Sequence, residues 1–171
     1  LSVPDLCDRL IPILERHGYN TASRTRGWLE QMTSICQEKL STLTQIVQYA
    51  DFFFQTDFPY EEKAARKQFT KPDVEQRLIS AADSTSGLLT WSVASIKDEF
   101  QHLADSTGLT PSDYIHPVRL ALTGKSVGPG LYELAELLGQ DECKNRIWRA
   151  IHHVRRVREA DQSSNADGSK D

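Results

Sequence analysis

The sequence is short of most features that declare a chemistry. Its 171 residues hold three cysteines, Cys7, Cys36 and Cys143, far apart and with no CxxC pair. So scattered an odd set excludes a disulfide framework and a thiolate zinc site; it fits three small buried apolar side chains in a reducing compartment. No apolar run approaches the roughly 20 residues that carry a helix across a bilayer. The opening LSVPDLCDRL has neither the apolar core of a signal peptide nor a transit-peptide composition. It also lacks an initiating Met, and the chain is therefore expected to be a piece of a longer one.

Catalytic signatures are missing too. There is no glycine-rich phosphate loop with its Lys-Ser/Thr, no GxGxxG after a strand, no GxSxG and no HExxH. His152 and His153 are adjacent, and adjacent helical residues do not share a face, so they make no metal-ligand pair. The acid pairs Glu61-Glu62 and Asp141-Glu142 fall at expected helix starts, where carboxylates favour the dipole. No catalytic and no metal-ligating residue is assigned.

What is present is helical. Hydrophobic residues make up 39%, with three Trp, six Phe and five Tyr, enough to bury a core. Their spacing follows three and four almost throughout, with no convincing strand alternation, which predicts an all-α chain. A first helix runs from a cap at Ser2 or Asp5 to His17, with Leu6, Leu10, Ile13 and Leu14 inward; Pro12 should kink or split it. A second covers about 24–38. A third runs from near Ser41 to Phe54, and a short charged one covers 61–68. Pro72 is expected in the first turn of a fifth, which carries Val74, Leu78 and Ala82.

The polar stretch 83–87 is read as a boundary between two helical subdomains, 1–83 and 88–160. The second opens on a helix through Trp91, ending at Gly108. Thr110-Pro111 caps and starts the next, to about Leu122. Residues 123–130 form a glycine-rich loop, 131–138 a helix ended by Gly139, and 141–160 the last helix. Residues 161–171, DQSSNADGSKD, are read as a disordered tail.

Net charge is −4, but its distribution is uneven. Residues 119–158 hold eight Lys or Arg against four acids, so that quarter is about +4 on a body of about −8. Such a patch is compatible with phosphate contact; it equally fits a solvated, salt-bridged helix face.

The most specific stretch is RLALTGKSVGPGLYELAELLG, 119–139. A helix ends at Thr123-Gly124, and Gly128-Pro129-Gly130 delivers the chain into the next. The N–H groups opening that helix can donate to a base edge or phosphate. Arg119 and Tyr132 flank the loop, and both types stack on and hydrogen-bond to unpaired bases. An ordinary helix connection with Tyr132 in the core is the bland alternative.

This stretch resembles the C-terminal anticodon-binding region of bacterial and organellar glutamyl-tRNA synthetases. The matching residues are Arg119, Ala121, Leu122, Thr123 and Gly124, then Pro129, Gly130, Leu131 and Tyr132, then Leu137, Leu138 and Gly139. Glu38-Lys39-Leu40, Thr42-Leu43 and ADFFFQTDFPYEEKAARK (50–67) are similar to the same family's other anticodon subdomain. The resemblance implies an α-helical cage of two subdomains that grips an anticodon loop, an RNA-binding pocket at Arg119, Gly128, Pro129, Gly130, Leu131 and Tyr132, and tRNA(Glu) as partner. It further implies a separate catalytic domain on the same polypeptide that uses ATP and Mg, and a cytoplasmic monomer without membrane contact. Tyr132 stands where the family often has Phe. Lys39 stands where discriminating members carry an Arg that reads the third anticodon base, so tRNA(Gln) enters as a second possible partner. A helical protein-interaction module descended from a synthetase is the alternative from another class.

Overall fold

Ser2 accepts a hydrogen bond from Asp5 N and opens the first helix, and the computed structural model describes the chain from there through residue 167. Nine α-helices follow among the described residues, with no strand: α1 (Val3–Arg16), α2 (Arg26–Gln37), α3 (Ile46–Ala50), α4 (Glu62–Gln68), α5 (Val74–Ser86), α6 (Val93–Thr107), α7 (Pro111–Thr123), α8 (Leu131–Leu138) and α9 (Gln140–Asp167). Thr25 caps α2 through Trp28 N, and Ser92 and Ser95 form a capping box at α6. Thr110 and Asp113 do the same at α7, and bonds from Thr110 hold the Asp113 carboxyl below its usual range.

Leu6, Leu10, Ile13 and Leu14 of α1 are buried as the spacing predicts. Pro12 does not split α1, because it lies on the exposed side where the carbonyl it deprives of a donor can face water. The predicted third helix is broken into a 3₁₀ turn at Leu43–Gln45, α3 and a second 3₁₀ turn at Asp51–Phe53. Ala50, at φ −129 and ψ −2, leaves helical geometry. That break lets the neighbours Phe52 and Phe53 both turn inward, each 1% exposed, where an unbroken helix would point them about 100° apart.

Pro72 lies before α5, not in its first turn; Val74 N instead donates to Lys71 O at 3.2 Å. Trp91 precedes α6, where its indole N–H reaches Ala135 O of α8 at 3.0 Å. The last helix corrects the predicted tail. It runs seven residues beyond Ala160, to Asp167, because no Gly or Pro interrupts 161–167 and each added turn rests on one already formed. Its residues 161–165 are exposed, and 168–171 lie outside the described residues.

α5 continues through Asp83 to Ser86, and one apolar core extends from Leu6 to Val154. Long-range polar bonds tie early and late segments together. Trp28 Nε1 donates to Leu137 O at 3.2 Å. Arg146, 3% exposed, donates from Nη1 to Leu122 O at 2.6 Å and from Nη2 to Phe52 O and Gln55 O at 2.8 and 3.0 Å. Its Nε meets Glu142 Oε1 at 2.8 Å. All three cysteines are free and buried, and burial pushes the Cys36 and Cys143 thiols up to about 12.

Candidate nucleic-acid interface

α7 stops at Gly124, whose φ of 75° is left-handed. A Cβ there would also strike the Pro59 carbonyl and the Phe58 ring, so the loop begins pressed against the segment before α4. Glu61 N donates to Gly124 O at 2.8 Å, and Glu61 Oε1 accepts from Ser126 N at 2.9 Å. Lys125 pairs with Asp51 Oδ1 at 2.8 Å and also donates to Gln48 O. Thr123 Oγ1 donates to Arg119 O at 2.8 Å and accepts from Lys125 N at 3.0 Å. The loop is therefore built against 48–61 rather than left as a free tether.

Arg119 closes it from the other side. Its Nη1 donates to Pro129 O at 2.6 Å, and a Cβ on Gly128 would sit 3.8 Å from the same nitrogen. Burial lowers the Arg119 pKa, with Glu133 opposing. Pro129 is buried, and Leu131, 4% exposed, plugs the start of α8 into the core. Gly128 and Gly130 do not have positive φ; what they contribute is the missing side chain. Gly130 leaves α8 without a side-chain cap, and its first carbonyl bond comes from Leu134 N at 3.0 Å. The preceding N–H groups have no intrahelical carbonyl partner, and the Glu133 carboxylate lies close beside Gly130. Tyr132 is half-buried, its ring edge-on to Phe100 at 5.6 Å, and burial raises its pKa.

The structure thus gathers Arg119, Gly128, Pro129, Gly130, Leu131 and Tyr132 around one loop. Lys39 is exposed, just beyond the end of α2. Among the described residues no hydrogen bond or ion pair joins it to the loop. α2 brings Gln31, Ser34 and Ile35 beside Glu133, Glu136 and Leu137 of α8.

Comparison with known sequences decides the family: the profile of the anticodon binding domain matches residues 5–151. The chain belongs to the anticodon-binding domain family. A glutamate–tRNA ligase of Desulforudis audaxviator is 32% identical over 145 residues, covering 82% of this chain and 29% of the relative. One from Acidothermus cellulolyticus is 33% identical over 156 residues, 88% of this chain and 31% of the relative. A solved glutamate tRNA ligase from Elizabethkingia meningosepticum, in complex with its amino acid, superimposes with a TM-score of 0.80 at 23% identity, over 90% of this chain and 30% of that one. The chain spans about three tenths of the length of the relatives it matches.

Within this anticodon-binding domain, most of the basic quarter is occupied internally. Arg119, Arg146 and Arg149 bind backbone carbonyls, and Lys125 pairs with Asp51. Arg155 and Arg158 share Glu75 at 2.6 and 3.1 Å. Lys144 and Arg156 are exposed, and neither has such a partner among the described residues. Lys125, Glu61 and Arg146 are loop-positioning residues that the sequence reading missed. Their partners lie 24 to 94 positions away, and spacing carries no signal for that.

Proposed function

We propose that this chain is the anticodon-binding part of a glutamate–tRNA ligase. It grips the anticodon loop of tRNA(Glu) while a catalytic domain of the same polypeptide, using ATP and Mg, attaches glutamate to the tRNA end, the whole acting as a cytoplasmic monomer. The division of the cage into subdomains 1–83 and 88–160 belongs to the same reading. The observation that supports it is the loop 123–130, braced against 48–61 and held by Arg119, with the half-buried Tyr132 in the first turn of the helix it opens. Aromatic faces and free backbone donors are what an unpaired base needs.

The test is binding of an anticodon stem-loop RNA by the purified chain across a salt series. Because only Lys144 and Arg156 of the basic quarter lack internal partners among the described residues, log affinity should fall against log salt with a slope of only about 2, at about 0.7–0.9 per phosphate neutralised. Salt-independent binding, or none, removes the reading in favour of a protein-docking module.

Lys39 bears on which tRNA is taken. An ammonium offers one point charge where a guanidinium offers a planar fork, so it separates cytosine from guanine less sharply. The exposed position of Lys39, whose side chain has no partner among the described residues, supports a direct contact and a second partner, tRNA(Gln). Lys39→Arg is expected to sharpen the preference for glutamate over glutamine stem-loops by roughly tenfold, about 1.4 kcal/mol. An unchanged ratio assigns Lys39 to phosphate or solvent instead.

A further inference from the structure

A cleft with a well-defined wall lies away from the loop. It has a volume of about 520 Å³ and lies between α4, the 57–60 segment and the middle of α9. Its wall is aromatic. The Tyr60 ring meets Phe69 edge-on at 5.1 Å and His153 at 4.8 Å. The Arg149 guanidinium lies over the Phe58 and Tyr60 rings at 4.4 and 5.1 Å and is pinned by Thr56 O at 2.6 Å and by Phe58 O. Burial and the nearby Arg156 and Arg149 hold His153 below its usual pKa, so at neutral pH it presents an uncharged flat face.

The rim is more positive than negative. Arg66, Arg149 and Arg156 face Asp57 and Glu62, and Glu62 already pairs with Arg66 at 3.4 Å. Arg156 is exposed and without an internal partner among the described residues.

Two further hollows lie toward the loop. A smaller cleft of about 170 Å³ shares Phe58, Pro59 and Tyr60 with the first and reaches Gly124 and Lys125. A third, of about 300 Å³, shares Glu61 and Lys125 with the second and carries Val127 at the loop tip, 67% exposed. Segment 58–60 thus lines both this cleft and a hollow beside the loop.

Flat apolar walls with guanidinium groups at the edge suit one chemistry above others, an aromatic base carrying a phosphate. The volume lies within the range of about 300–1,000 Å³ usual for small-ligand sites. We propose that the cleft between α4 and α9 is a second RNA subsite, which takes one unpaired nucleotide with its base against the part-exposed Tyr60 ring and its phosphate on Arg156. The proposal rests on the RNA-binding reading above and adds to it a site remote from the Tyr132 mouth.

The experiment compares the purified chain with Arg156→Gln and Tyr60→Leu for binding of the same anticodon stem-loop RNA over a salt series. Arg9→Gln, on α1 and outside the cleft, serves as the charge control. Circular dichroism and Tm follow folding. Arg156→Gln should weaken binding and lower the salt slope by about 1, while Arg9→Gln leaves the slope alone. Tyr60→Leu should cost about tenfold in affinity with the slope kept, since it removes a stacking face and no charge. If Tyr60→Leu unfolds the chain, Arg156→Gln alone decides, because the Arg156 side chain has no partner among the described residues. A parent chain that binds RNA, beside an Arg156→Gln variant with unchanged slope and affinity, overturns the subsite and leaves a cleft for protein contact. A parent chain that binds no RNA overturns the subsite together with the reading on which it rests.

Discussion

Arg146→Ala is expected to lower stability by about 3–5 kcal/mol, the cost of breaking a buried, hydrogen-bonded charge arrangement on one side. The side chain is almost wholly inside, and it supplies donors to three main-chain carbonyls, Leu122 O, Phe52 O and Gln55 O, and to Glu142. Without it each carbonyl becomes an orphaned acceptor at about 1–3 kcal/mol, less whatever water enters the space. For a chain of this size the loss corresponds to a Tm about 10 °C lower or more. Arg146→Lys should recover only part of it, since one ammonium cannot reach three carbonyls in a plane. Because Leu122 immediately precedes the loop, RNA affinity should fall alongside. A Tm for the Ala variant within about 2 °C of the parent would mean that these bonds are worth no more than solvent bonds.

The same residue marks the limit of what the sequence discloses. Helix faces were readable because burial repeats at helical spacing: Leu6, Leu10, Ile13, Leu14, Ile96, Phe100 and Leu103 are all in the core. The α8 ends were readable because Gly130 and Gly139 punctuate them. Phe52-Phe53 misled, since a run of aromatics suits a long helix as well as a broken one, and only tertiary burial selects the break. The charge count left two readings open, phosphate contact and a salt-bridged helix face, and the second describes most of these cations. Eight cations within forty residues suggest a phosphate footprint, yet six of them are engaged by carbonyls or carboxylates, most of these far away in sequence. Pairings over such separations depend on the assembled fold and leave no periodicity behind.

At the loop itself the readable part was the constellation and the unreadable part was its internal use. Arg119 and Tyr132 flank the loop in the sequence, and in the fold the Arg119 Nη1 is given to Pro129 O. A guanidinium bound through one nitrogen keeps further donors and a face, so it can hold the loop and still line its mouth. The two side chains then fail in different ways. Tyr132→Ala removes a stacking face and should weaken stem-loop binding by roughly ten- to a hundred-fold, from about 1–3 kcal/mol per stacked base. Tyr132→Phe should keep most of the affinity, since the ring that packs edge-on against Phe100 is unchanged. Arg119→Ala releases Pro129 O and should cost a similar amount by loosening the loop. The double variant should lose less than the sum, because both act on one ligand. Circular dichroism must show intact helices throughout. Should Tyr132→Ala melt the fold instead, the ring belongs to the core with Phe100, and the base-binding face must be sought along α9.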